Sequence, residues 1–358
     1  MQVRRDNLQI FKGKKVFLTG HTGFKGTWFL WMLRELGANV KGYALAPESE
    51  PSLFSLTRAD EICNSVIADV RDAQRLSHEI AEFQPDVVFH FAAQALVIDS
   101  YRAPIDTYAT NVMGTAHLLQ ALAGIKKPCS TVIITTDKVY ENIEQHYAYN
   151  ENDHLGGYDP YSSSKACCEI LVSSWRRSFF PTAKLCEHKQ SIATARSGNV
   201  IGGGDFSENR IIPDLIRALE SGISLAVRHP GAVRPWQHVL DPLYGYLRLA
   251  AQLLIHPEKH GEAYNFGPHS GDTLTVEQLV EKAIKIWGGG QWHNAEDPNS
   301  VHEAGLLMLD THKARTELGW TPSYNATTSV SDTISWYKES KGKEATYTLA
   351  QIKSYLDR

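Results

Sequence analysis

Apolar residues along this chain alternate between two periods. Short runs rich in β-branched residues, at 14–19, 39–45, 63–70, 85–93 and from Thr131 onward, read as strands buried on both faces of a parallel sheet. Between them, apolar positions recur at helical spacing over 28–36, 71–83 and 107–122. Strands that alternate with helices, without internal repeats, predict an α/β fold with a doubly wound parallel sheet. Right-handed crossovers then bring the strand ends and their loops to one edge, where such sheets bind ligands.

After Asn199 the pattern changes. A Gly202-Gly203-Gly204-Asp205 loop leads to a helix ending near Leu219, a short strand at 224–227 and a helix over 241–254. From Tyr264 on, helices alternate with short strands. The expected organisation is a Rossmann domain over 1–199, with 236–262 packing back on it. Residues 200–235 and 263–358 would form a smaller α/β substrate-binding domain.

Three strand ends carry candidate chemistry. The first runs into Gly20-His21-Thr22-Gly23-Phe24-Lys25-Gly26 and then a helix. Glycines there let the backbone turn tightly and approach a pyrophosphate held at the helix N-terminus. The second strand ends in Leu45-Ala46-Pro47, with Glu48 late, so no acid is placed for the adenosine ribose. The lack of an arginine favours NAD over NADP, held loosely. Asp69, beside Val70, either meets the adenine amino group or caps the helix that follows. Ala92 and Ala93 are small enough for a cofactor to approach, and His21, Phe24, Asn111 and Thr135 belong to the same cofactor-facing set.

The run from Thr131 ends abruptly in Thr136-Asp137-Lys138. An acid beside an ammonium at such an edge is a candidate catalytic pair; the alternative is an exposed turn with a solvated ion pair. Downstream, Tyr161 and Lys165 lie one helical turn apart on a common face. An ammonium near a phenol lowers its pKa and makes it a usable base.

Composition narrows the classes. A net charge of -4 over 358 residues gives no general attraction for nucleic acid. No apolar run is long enough to cross a bilayer, and the polar start at 1–6 lacks the core of a signal peptide, so a cytoplasmic protein is expected. The 5 cysteines show no CxxC spacing, which argues for reduced thiols and against a disulfide framework or a metal site.

Taken together, Gly20-x-x-Gly23-x-x-Gly26, Thr136 and Tyr161-x-x-x-Lys165 resemble the extended short-chain dehydrogenase/reductase superfamily. Ala195-Arg196-Ser197-Gly198-Asn199-Val200, Arg210-Ile211-Ile212-Pro213, Arg234-Pro235-Trp236-Gln237-His238-Val239 and the stretch 310–322 extend the resemblance over nearly the whole chain. Thr136-Asp137 followed by a charged residue is similar to the sugar-nucleotide 4,6-dehydratases, most of which carry Asp-Glu where this chain has Asp137-Lys138. The His21 loop and the missing acid after the second strand look like the CDP-glucose branch of that group. The resemblance implies oxidation at C4 with NAD, elimination of water across C5–C6, and hydride return to C6. Tyr161 with Lys165 would be the base at the 4-hydroxyl, Thr136 a hydrogen-bond partner of the 4-oxygen, Asp137 the acid at C6 and Lys138 the C5 base. Asn199, Arg210, Arg234 and His238 would hold the nucleotide sugar, and the helix with Tyr161 would pair copies into a homodimer or homotetramer. A nucleotide-sugar 4-epimerase and a silent nucleotide-binding regulator are the competing readings.

Overall fold

The structure is a computed structural model that describes residues 3–269, 271–295 and 306–358. In chain order its main elements are β1 Lys15–Thr19, α1 Phe24–Glu35, β2 Asn39–Ala44, β3 Asn64–Ile67, α2 Ala73–Phe83, β4 Val87–His90, α3 Gly114–Leu122 and β5 Cys129–Ile134. There follow α4 Pro160–Ser178, β6 Gln190–Ser197, α5 Ile211–Ser221, α6 Leu240–Ile255, β7 Ala263–Phe266, α7 Val276–Trp287, α8 Ala326–Glu339 and α9 Glu344–Leu356.

Seven strands pair in the order β7-β6-β5-β4-β1-β2-β3, every pair parallel. Every residue of β5 and β6 is buried, and the polar ones in β6, such as Thr194 and Arg196, are paired within the interior. Strand order reverses between β1 and β4, so the loops after them flank the crevice at that switch point. Helices cover both faces, as the alternating pattern requires. The α/β doubly wound sheet expected from sequence is present.

Some boundaries differ. α1 begins at Phe24 instead of 28, because Gly23 supplies the extended backbone that starts the helix before its apolar stripe begins. The helix expected over 107–122 is broken by a wide π-helical turn at Ala109–Met113. The tail differs most. Ala263–Phe266 is the edge strand of the large sheet, not part of a separate smaller unit, and it pairs with β6 from Thr194 to Ser197.

Two cores result. The larger packs α1 and α6 on one face of the sheet and takes in Trp320, Tyr355 and Leu356 from the C-terminal segment. A smaller core unites Leu215 and Ile216 of α5, Leu279 and Val280 of α7, and Val330 and Ile334 of α8. Several residues join the C-terminal segment to the sheet side, Trp320 among them. Trp320 is 0% exposed, lies edge-on to Phe266 at 5.1 Å between centroids, and donates its indole N–H to the Asp241 carbonyl at 3.0 Å. Asp241 in turn accepts from the backbone N–H of Ser323 and Tyr324 and from the Tyr355 hydroxyl. Trp320→Ala is expected to cost about 3–5 kcal/mol through the cavity it leaves, read as a lower urea midpoint.

Candidate active site

A cleft of about 650 Å³ opens along the carboxyl ends of the strands. The glycine loop forms one wall. A Cβ on Gly26 would fall 2.0 Å from the Gly20 carbonyl oxygen, and one on Gly20 would fall 2.7 Å from the Ala92 nitrogen, so neither position accepts a side chain. The backbone amides at the start of α1 are thereby bared to the cleft, which fits a pyrophosphate. Gly20, Gly23, Phe24, Gly26, Val70, Ala92, Ala93 and Thr135 line it, as do Leu45 and Glu48. Asp69 also lines the cleft, with its carboxylate gripped by Arg71 at 2.7 and 2.8 Å; the cap of α2 is Asp72. These residues fit a dinucleotide, and the site beyond β2 presents no carboxylate closer than Glu48 for the ribose.

Three expected residues lie elsewhere. His21 turns under β2, where its Nε2 pairs with Ser65 Oγ at 2.7 Å, and burial pulls its pKa down to about 4. Asn111 sits in the π-helical turn and fastens the 94 loop to α4, since it accepts from Gln94 N–H and donates to Gln94 O and Ser164 Oγ. His238 packs between Trp28 and Tyr324, fully buried, with burial holding its pKa near 3. None of the three lines the cleft; each serves the packing beneath it.

The strand end and α4 meet at the floor. Asp159 caps α4 by accepting from Ser162 N–H and Oγ–H, and Pro160 takes the first turn, which sets Tyr161 just inside the helix. Thr136 donates to Asp137 Oδ1 at 3.1 Å, and Tyr161 lines the same floor. Lys138 Nζ stands 3.5 Å from the same Asp137 oxygen. Lys165, one turn along α4 from Tyr161, donates to the Ile134 carbonyl at 3.1 Å, with its pKa lowered by burial. Burial pushes the Tyr161 phenol up to about 12, against the Arg210 charge.

One cleft residue was not singled out in the sequence. Lys25, in the middle of the glycine loop, donates to Ser197 Oγ, and burial reinforced by Arg210 lowers its pKa to about 7. Its periodic position inside a cofactor motif hid it. Arg210 pairs with Asp205 at 3.0 Å and its charge reaches Tyr161, while Asn199 and Arg234 also line the cleft.

Under the floor lies a buried ion pair. Glu169 accepts from Thr135 Oγ1 at 2.5 Å, Thr194 Oγ1 at 2.7 Å and Arg196 at 2.9 Å. Burial alone would raise the Glu169 carboxyl, but Arg196 and the two hydroxyls outweigh it and hold it below its usual range. Arg196 also donates to Tyr140 Oη, which donates to Asn265 in β7.

The family model described as GDP-mannose 4,6 dehydratase matches residues 17–333. The chain belongs to that family. It is 46% identical over 92% of its length to a CDP-glucose 4,6-dehydratase of Salmonella typhimurium, covering 91% of that protein. It is 30% identical over 91% of its length to a dTDP-glucose 4,6-dehydratase of Streptomyces antibioticus, covering 93% of it. Among solved structures, a dTDP-glucose 4,6-dehydratase from Bacillus anthracis in complex with NAD superposes with TM-score 0.75 at 21% identity, over 94% of this chain and 100% of that one. That likeness is one of fold.

Arg196→Met is expected to cost about 3–5 kcal/mol, because it strands the Glu169 charge, whereas adding Glu169→Leu should recover most of the loss. Urea unfolding measures both. Since Glu169 titrates below its unfolded value, its contribution is present at neutral pH and is lost as pH falls through the lowered pKa.

Proposed function

We propose that this protein is an NAD-dependent nucleotide-sugar 4,6-dehydratase, a hydro-lyase, with CDP-glucose as its substrate and CDP-4-keto-6-deoxyglucose as its product. Family membership and 46% identity to a CDP-glucose 4,6-dehydratase support the reaction and the nucleobase. The observation that carries the chemistry is the meeting of Thr136, Asp137 and Lys138 with Tyr161 on the floor of one cleft. A 4-epimerase needs only the base at the 4-hydroxyl; an acid and a second titratable group beside it suit an elimination.

NAD, bound along the glycine loop and past Asp69, would take a hydride from the sugar and give it back. The protein's own groups handle the protons. Tyr161 is the base at the 4-hydroxyl, favoured by the Arg210 charge. Asp137 is the acid at the C6 hydroxyl. Lys138 is the C5 base, a role that needs its amine neutral. Arg210, Arg234 and Asn199 hold the diphosphate and ribose, with guanidinium forks suited to phosphate oxygens. The smaller unit, 200–235 with the tail beyond β7, would clasp the sugar nucleotide against the Rossmann unit and exclude water.

The oligomer and the compartment are part of the same proposal. Ile105, Met113, Ile170 and Phe179 expose 79%, 50%, 58% and 60% of their surface on the helical segments around α4. Such a patch supports pairing of two copies through this face, as a homodimer or within a homotetramer. No described helix is long and apolar enough to cross a membrane, and the five thiols are free, which supports a cytoplasmic setting.

A panel of CDP-, dTDP-, UDP- and GDP-glucose with and without NAD tests the reading. The alkali-absorbing 4-keto-6-deoxy sugar should form from CDP-glucose fastest, while its absence with every donor would leave the silent-regulator reading. Lys138→Ala should slow exchange of the C5 hydrogen with solvent on the order of a hundredfold or more. Exchange at the native rate would remove Lys138 from the role of base.

A further inference from the structure

The proton chemistry read above, on which this inference rests, is divided between two places in the fold. Tyr161, the base of the oxidation, stands in the first turn of α4. Asp137 and Lys138, which serve the elimination, lie in the short helical turn Asp137–Val139 just beyond β5. That turn is weakly held by its own backbone. The Val139 N–H meets the Thr136 carbonyl at 3.5 Å and the Tyr140 N–H meets the Asp137 carbonyl at 3.4 Å, both long for such bonds. Its position depends on the residues that flank it.

Upstream, Thr135 donates to Glu169 of α4 at 2.5 Å. Downstream stands Tyr140, which borders the cleft yet is only 1% exposed. Its hydroxyl lies in the interior, where it accepts from Arg196 at 2.8 Å and donates to Asn265 Oδ1 at 2.7 Å. Asn265 is itself fully buried in β7. Its Nδ2 donates to the carbonyls of Tyr149 and Asp310 at 2.9 and 3.1 Å, and its backbone N–H to Glu151 at 2.8 Å. The Tyr140 ring is fixed as well, stacked on Tyr149 with centroids 5.1 Å apart and with the Arg196 guanidinium 5.0 Å from its centre. Burial pushes the phenol above its usual range, so the hydroxyl keeps the proton that it gives to Asn265.

We propose that Tyr140, seated on Arg196 and Asn265, is the positioning residue of the elimination: it sets Asp137 and Lys138 against the sugar without touching the reacting atoms. The oxidation by Tyr161 has a separate anchor. Removing the Tyr140 hydroxyl leaves Glu169 its bonds to Thr135, Thr194 and Arg196, and leaves the Asp159 cap, so α4 keeps its place. What is released is the downstream end of the turn. Backbone bonds tie that end to the 154–156 segment, from Gly156 N–H to Val139 at 2.8 Å and from Glu141 N–H to His154 at 2.9 Å. The two segments can then shift together against the sheet. A displacement of about 1 Å at a catalytic group costs on the order of a hundredfold in rate. A hydroxyl that never meets the sugar thus governs one half of the cycle.

Tyr140→Phe removes the hydroxyl and keeps the ring. In a single turnover of NAD-loaded enzyme with CDP-glucose, the near-ultraviolet absorbance of NADH reads the oxidation and the 4-keto-6-deoxy product reads the elimination. In Tyr140→Phe, NADH should form at close to the wild-type rate, while product appears on the order of tenfold or more slowly. Trp320→Ala, which weakens the fold away from the cleft, should leave the ratio of the two rates at its wild-type value. If Tyr140→Phe slows both steps equally, or neither, the residue is structural and the proposal is overturned. The same holds if Trp320→Ala shifts the ratio as far. Should Tyr140→Phe not fold, Asn265→Ala decides, since it withdraws the acceptor of the same hydroxyl: a shifted ratio supports the anchor and an unchanged one contradicts it. Failure of the wild type to make the keto sugar from any nucleotide-glucose would instead overturn the dehydratase reading.

Discussion

The buried Glu169–Arg196 pair is the constraint on which the active-site geometry depends. Glu169 lies on the same face of α4 as Lys165 and Tyr161, one and two turns farther along. Its bonds to Thr135 in the β5 loop, and to Thr194 and Arg196 in β6, therefore fix how far α4 can slide or roll on the sheet. Thr135 immediately precedes Thr136, so the carboxylate that anchors the helix also anchors the strand end facing it. A charged pair this deep is costly to desolvate and is weak evidence for net stability. Its value here is geometric, since it sets the separation of the two elements that carry Tyr161 and Thr136-Asp137.

Around that anchor the electrostatics lean positive. Lys25, Lys165 and Arg210 interact with one another or with Tyr161 and Asp137 in a cleft shielded from water. Such a field favours a nucleoside diphosphate and disfavours extra protons on neighbouring amines. Lys25 responds by titrating near 7.

Much of this was legible in the sequence. Continuous β-branched runs marked β1, β4 and β5, and the glycine loop and Tyr161-Lys165 marked the cleft. Thr136-Asp137-Lys138 lies where strand-end logic placed it. What was not legible depends on side-chain direction. His21, Asn111 and His238 sit in or beside motif residues, yet their side chains turn inward to Ser65, to Gln94 and Ser164, and to Trp28 and Tyr324. One-dimensional spacing does not distinguish a residue that lines a cleft from one that packs under it. Lys165 shares a helical face with Tyr161 yet donates to Ile134, because a carbonyl at the end of β5 lies within its reach. β7 was missed as a sheet strand because Ala263–Phe266 is short and follows a helix that had no signal tying it to the sheet edge.

The central claim is that one cleft carries out an oxidation and a reduction on the same sugar with a water lost between them. The direct measurement follows the hydrogen at C4. With CDP-glucose carrying deuterium at C4, the product should hold that deuterium at C6, within the same molecule, as shown by crossover analysis against unlabelled substrate. Deuterium washed into solvent, scrambled between molecules, or retained at C4 of an epimerised sugar would contradict the account.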